Sequence, residues 1–231
     1  INNQKINNKI VNDQKINNQI QTKKLEVHSN TDLSDKNTLM LEYKLAAHQK
    51  VGSVKNYIKK WLEHNPTEKL VVFAHHRVML NGIELTLQET TNNSDNLPFS
   101  YIRIDGSTPQ HRRQGMVYSF QTDPIVRVAL LSITSASTGI TLHSSNTVIF
   151  TELWWNPGNI LQAEDRVHRI GQKNMVSIIF LLGRNTIDEH VWPKLIQKLK
   201  VLEKMDVGEN VFGDVGAREG GVLPFKRSRT S

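Results

Sequence analysis

Five short, nearly continuous apolar runs constrain this chain more than any other feature. They cover residues 70–74, 101–104, 126–131, 147–150 and 176–182. A run of this length is the pattern of a strand buried on both faces. Helical segments separate most of them, roughly at 77–90, 109–121, 136–142, 158–169 and 187–202. Strands that alternate with helices form a parallel sheet covered on both faces, so the fold class is α/β. Ahead of the first run, Val54, Ile58, Trp61 and Leu62 recur at i, i+4, i+7 and i+8, and Asn65-Pro66 follows. That spacing predicts a one-faced helix ended by the proline.

The flanks differ in composition. Residues 1–36 are rich in Asn, Gln and Lys, and Gln4-Lys5-Ile6-Asn7-Asn8 recurs as Gln14-Lys15-Ile16-Asn17-Asn18. Asparagine is a poor helix former, so this segment is expected to be disordered. Residues 37–202 are expected to form one domain, and 203–231 a flexible basic tail. Gly208, Gly213, Gly216, Gly220 and Gly221 break any helix there, and Lys226-Arg227-Ser228-Arg229 supplies the charge. The 231 residues suffice for one α/β domain plus tails, and an apolar content of 38% agrees with part of the length not folding. The net charge of +7 fits a nucleic-acid partner without proving one. There are no cysteines, which excludes disulfides, Cys-based zinc sites and thiol catalysis. No apolar run is long enough for a membrane-spanning helix, and no signal-peptide segment opens the chain. The chain reads as soluble and intracellular, and its start at Ile1 reads as a fragment.

Ligands of open parallel sheets sit beyond the carboxyl ends of the strands. His75-His76-Arg77 follows the first run, Asp105-Gly106-Ser107-Thr108 the second, residues 132–141 the third and residues 152–157 the fourth. Four polar loops on one edge are more than a core requires, which favours a binding surface. Asp105 to Pro109, with Arg112 and Arg113 beyond, reads as a turn feeding a helix with proline near its start. Ser135-Ala136-Ser137-Thr138-Gly139 leaves two readings open. It caps a short helix, or it lets the backbone approach a phosphate closely at Gly139. His75 and His76 are adjacent rather than spaced i,i+4, which argues against a metal site. Trp154 and Trp155 either pack or stack on bases. Asp188-Glu189-His190 resembles a magnesium-binding acidic box. It opens a helix, however, where acids simply complement the dipole, and is rejected as catalytic.

The last motif is Gln162-Ala163-Glu164-Asp165-Arg166-Val167-His168-Arg169-Ile170-Gly171-Gln172. Read as one helix, it puts Gln162, Arg166 and Arg169 on one face. Adjacent guanidiniums repel, and an anionic ligand would explain their pairing. An i,i+4 ion pair of Asp165 with Arg169 on a solvated helix is the plainer reading. The sequence has no Gly-Lys dipeptide, hence no P-loop to cradle a triphosphate.

This string resembles motif VI of SNF2-type ATPases, within the superfamily 2 helicases. From about residue 45 to 202 the chain is similar to the second RecA-like lobe, the helicase C-terminal domain, of that family. Val72-Phe73-Ala74-His75-His76, Glu152 in Phe150 to Gly158 (where most chromatin remodellers have Asp), and Trp192-Pro193-Lys194-Leu195-Ile196 resemble the HARP-type annealing helicase branch. The resemblance implies a RecA-like parallel sheet and a DNA-dependent ATPase that translocates on duplex or forked DNA without sequence preference. It implies roles in strand annealing, fork remodelling and DNA repair, in the nucleus and away from membranes. ATP with Mg2+ would be bound mainly by the first lobe, absent from this sequence, with no metal site in this chain. Arg166 and Arg169 would be catalytic arginine fingers, and Gln162, Gly139 and Asp165 would support the ATP site. His75, His76, Arg77, Asp105, Gly106, Ser107, Thr108, Arg112, Ser135, Thr138 and Trp155 would contact DNA. A nucleic-acid-binding module without ATPase activity, or the second lobe of a chromatin remodeller, are the alternatives.

Overall fold

The computed structural model describes residues 36–92, 98–138, 140–154, 156–167, 175–203, 211–214 and 222–229. The chain divides into two compact units, Ile1–Leu45 and Ala46–Ser231. The described part of the first unit, residues 36–45, is helical throughout. It begins α1 (Lys36–His64), which continues into the second unit.

The second unit holds the sheet. Five strands, β1 (Leu70–Ala74), β2 (Ser100–Ile104), β3 (Val126–Ser132), β4 (Thr147–Phe150) and β5 (Val176–Gly183), lie side by side in the order β2-β3-β1-β4-β5. All four pairings among them are parallel. The connecting helices are α2 (Arg77–Asn92), α3 (Gln110–Thr122) and α4 (Pro157–Asp165), and α5 (Asp188–Glu203) follows β5. The apolar runs are continuous because both faces are covered. Leu70, Val72 and Ala74 pack with Val54, Ile58 and Leu62 of α1 and Met79, Leu80, Ile83 and Leu87 of α2. The alternate residues Val71 and Phe73 join Phe120 of α3, Ile160 and Ala163 of α4, and Leu195 and Leu199 of α5. On that second face, Phe73, Phe150 and Phe180 stack across three neighbouring strands, with centroids 5.2 and 5.1 Å apart. Gly82 lets α2 approach α1, since a Cβ there would lie 2.6 Å from Val51 Cγ2.

The strands fall within a residue of their expected bounds. Three other expectations change. The helix expected at 136–142 is a 3-10 turn at Ile133–Thr138, tied at its start by Ser132 Oγ and Thr134 Oγ1, 2.8 Å apart. The helix expected at 158–169 ends at Asp165. There the N–H groups of Arg166 and Val167 turn to the i−3 carbonyls of Ala163 and Glu164, and Leu142 N–H takes the Arg166 carbonyl at 2.7 Å. The tightened last turn and the outside donor to the Arg166 carbonyl mark the helix end. Residues 168–174 lie outside the described residues.

The third change is in the tail. Where a flexible segment is expected, β6 (Val211–Asp214) and β7 (Val222–Arg229) extend the sheet beyond β5 as β5-β7-β6, both pairings antiparallel. The free edge of β5 carries backbone donors and acceptors that need partners, and β7 supplies them along eight residues. Pro224 has no N–H to donate, and it lies one residue past the β6 register, which ends at Phe225. The expected disordered segment lies outside the described residues up to residue 35.

Candidate functional site

Parallel pairing brings the ends of β1 to β4 to one edge of the sheet, and each loop there is built differently. After β2, Asp105 organises its own turn. Its Oδ1 accepts the Ser107 N–H at 2.8 Å and the Ser107 hydroxyl at 2.5 Å. Its N–H donates to Thr108 Oγ1 at 3.0 Å. Arg103, the penultimate residue of β2, donates to Asp105 Oδ2 at 3.0 Å from Nε and to Glu84 of α2 at 2.5 Å from Nη1. Arg113 donates to the carbonyls of Thr108 at 3.0 Å and Asp105 at 3.2 Å. Partial burial opposes charge on Asp105, but the Ser107 and Arg103 bonds outweigh it and hold the carboxyl below its ordinary range. The two arginines after this loop thus divide: Arg113 braces it from within, and Arg112 is exposed. Gly106 and Ser107 form its exposed tip.

After β1 and β4 the chain is zipped by longer-range bonds. The Thr151 N–H and hydroxyl both donate to the Phe73 carbonyl at 3.0 Å. One residue on, Glu152 is buried at the start of α2. Its Oε2 accepts the His75 N–H at 2.7 Å and the His76 N–H at 3.0 Å, and its Oε1 lies 2.5 Å from His76 Nδ1. The His76 carbonyl in turn accepts the N–H groups of Met79 and Leu80. A carboxylate here complements the positive end of the α2 dipole. Burial opposes its charge; His76, Lys50 and the His75 N–H outweigh it and hold its carboxyl below the ordinary range. The His75 ring lies 4.2 Å from Trp154 and 4.6 Å from His76, centroid to centroid. Burial, with His76 beside it, lowers the His75 pKa, so its imidazole is neutral near pH 7. That environment suits packing better than phosphate binding. Arg77, the next residue, is exposed.

After β3, Ser135 is buried, Thr138 ends the 3-10 turn, and Gly139 lies outside the described residues. The segment after β4 leads into α4, where Asn156 Oδ1 accepts the Gly158 N–H at 3.0 Å and Pro157 opens the first turn. On α4, Gln162 is half-buried and Asp165 exposed, with half-buried Arg166 as its C-cap. Trp155 and Arg169 lie outside the described residues. Among the described residues, no group of three or more His, Asp or Glu could hold a metal ion. Asp188 is instead structural: with Lys50 it forms a buried ion pair at 2.6 Å, while Lys50 also donates to the Leu181 carbonyl and Gly183 N–H to Asp188.

Sequence reasoning missed the Glu152 clamp, the brace of Arg103 and Glu84, and the partner of Asp188. The one available signal was an acid two residues past a buried strand, at Glu152.

The pattern of the family described as helicase conserved C-terminal domain matches residues 49–171. The chain is 42% identical over 184 residues to the SWI/SNF-related matrix-associated actin-dependent regulator of chromatin subfamily A-like protein 1 of Xenopus laevis. That match covers 79% of this chain and 18% of the relative. It is 44% identical over 160 residues to the DNA annealing helicase and endonuclease ZRANB3 of Homo sapiens, covering 69% of this chain and 14% of that one. The chain therefore spans only a small part of these relatives. Among solved structures, the C-terminal part of the Fun30 ATPase domain matches with a TM-score of 0.54 and 30% identity, over 60% of this chain and 43% of the other.

Proposed function

This chain belongs to the helicase conserved C-terminal domain family, in its SNF2-type group, and from that premise we propose that it is the second motor lobe of a DNA-dependent ATPase that translocates on duplex or forked DNA. The observation that carries the reading is the shared edge: the loops after β1, β2 and β3 and the start of α4 all leave the sheet at the same carboxyl ends. The loop of Asp105, Gly106, Ser107 and Thr108, with exposed Arg77 and Arg112, offers donors and cations to a phosphate backbone. Such contacts carry little sequence preference and weaken steeply with salt. By the same reading Ser135, Thr138 and Trp155 are assigned to DNA contact, while His75 by packing and His76 by its bond to Glu152 support the loop.

On this reading Gln162, Gly139 and Asp165 are assigned to support of the ATP site, and Arg166 and Arg169 to the role of arginine fingers. A finger of this kind contributes about 10³- to 10⁵-fold in phosphoryl transfer. The triphosphate and Mg2+ are held mainly by a P-loop-bearing first lobe, since this sequence has no P-loop. Names among the relatives, a regulator of chromatin and an annealing helicase, support work in the nucleus on forks and repair intermediates.

The test is ATP hydrolysis with and without forked DNA, by this chain alone and by this chain joined to a P-loop lobe. Hydrolysis only in the joined form, stimulated by DNA and abolished by Arg169→Ala with duplex binding nearly unchanged, is expected. DNA binding without hydrolysis in either form would make the chain a nucleic-acid-binding module instead.

A further inference from the structure

Two acids at this edge are buried among the described residues and unused by the proposed reaction, and of these Glu152 differs from the ion-paired Asp188 in tying two separate strand exits together. It belongs to the segment that leaves β4 and opens α4, yet all of its hydrogen bonds go to His75 and His76, on the segment that leaves β1 and opens α2. The same two exits are joined one residue earlier by Thr151 and Phe73. Beyond the clamp on one side stand exposed Arg77 and the DNA-facing loop. Beyond it on the other stand the Asn156 cap and the helix that carries Gln162 and is capped at its end by Arg166. A charge-assisted carboxylate that holds two backbone N–H groups and an imidazole is stiffer than neutral bonds in the same place.

We propose that Glu152 is a positioning residue that couples the DNA-facing loop after β1 to the helix after β4 that Arg166 caps, so that DNA bound on one segment sets the placement of the other. The inference rests on the motor reading above. Glu152 touches neither DNA nor nucleotide in this role; it transmits. Replacing it with Gln keeps one oxygen to accept both N–H groups, so the fold survives. The amide turns a donor towards His76 and leaves the tie uncharged.

The experiment measures basal and DNA-stimulated ATP hydrolysis by the joined two-lobe motor, as wild type, Glu152→Gln, His76→Ala and the double variant. For Glu152→Gln, the melting temperature and the basal rate are expected to stay near wild type, within about twofold for the rate. Its DNA stimulation is expected to fall about tenfold in kcat, with little change in the DNA concentration at half-stimulation. The double variant is expected to be no worse than the weaker single one, since both remove the same link. An unchanged stimulation ratio in Glu152→Gln would overturn the coupling. So would basal and stimulated rates that fall in proportion, or losses that add. A wild-type motor with no DNA stimulation would remove the motor reading, and the coupling with it.

Discussion

Two carboxylates clamp loops at the same edge of the sheet, and they do it at opposite scales. Asp105 closes a turn with its own neighbours: Ser107 and Thr108 downstream and Arg103 two residues back. Glu152 reaches His76, 76 residues away in sequence, and does so buried. Both are held below the ordinary carboxylate range, so both are charged near pH 7. Asp105 is partly exposed. Glu152, by contrast, is buried. The difference teaches that equal chemistry at two loop roots carries unequal stakes, set by burial rather than by bond count.

The largest break in this comparison is truncation. Glu152→Ala leaves two partly buried N–H groups without this acceptor, which costs up to about 1–3 kcal/mol for each. Asp105→Ala costs about 1 kcal/mol, the scale of a local cap. Urea unfolding of the two variants measures the gap, and equal losses would erase the distinction.

Acid sharpens it next. A group whose pKa is depressed in the fold binds its proton more readily in the unfolded chain, so stability falls as pH falls past the unfolded value. His75 begins this below its ordinary 6.5, and Glu152 below its ordinary 4.5. Stability should therefore decline in two stages on acidification. Glu152→Gln should flatten the lower stage and deepen the upper one, because the lost Glu152 charge was raising the His75 pKa, and a pH series of denaturation midpoints would show both. Asp105→Asn should alter the lower stage less, because its carboxyl is more exposed.

The smallest effect separates the paired arginines. Arg112→Ala, at an exposed position, should change stability by no more than about 0.5 kcal/mol. Arg113→Ala should speed amide exchange at Ser107 and Thr108, because it removes the brace on the Thr108 and Asp105 carbonyls. Equal exchange in the two variants would show the brace to be idle.

The same contrast explains what could be read from the sequence. The strands were legible because both faces are buried, so the apolar runs are unbroken from Leu70 to Ala74 and from Val126 to Ser132 apart from Arg127 and the terminal serine. The Asp105 turn was legible because its partners are neighbours. Glu152 and Lys50 were not, because their partners lie a domain's length away and only the parallel topology brings them together. The end of α4 was missed for the same reason: the outside donor that marks it is Leu142, from the loop after β3. The β6–β7 hairpin was hidden by glycines that marked its breaks and obscured the short strands between them.

The Lys50–Asp188 pair has a consequence for how the lobe is made. Its members are 138 residues apart, and both side chains are only 2% exposed. At a synthesis rate of about 5–20 residues per second, the ammonium leaves the ribosome roughly 7–28 s before its counter-charge. Until then, closing α1 over the sheet would bury a lone cation, so the nascent lobe has reason to stay open until its last helix begins. A piece cut at residue 171, where the family match ends, would be held at that unfinished stage permanently.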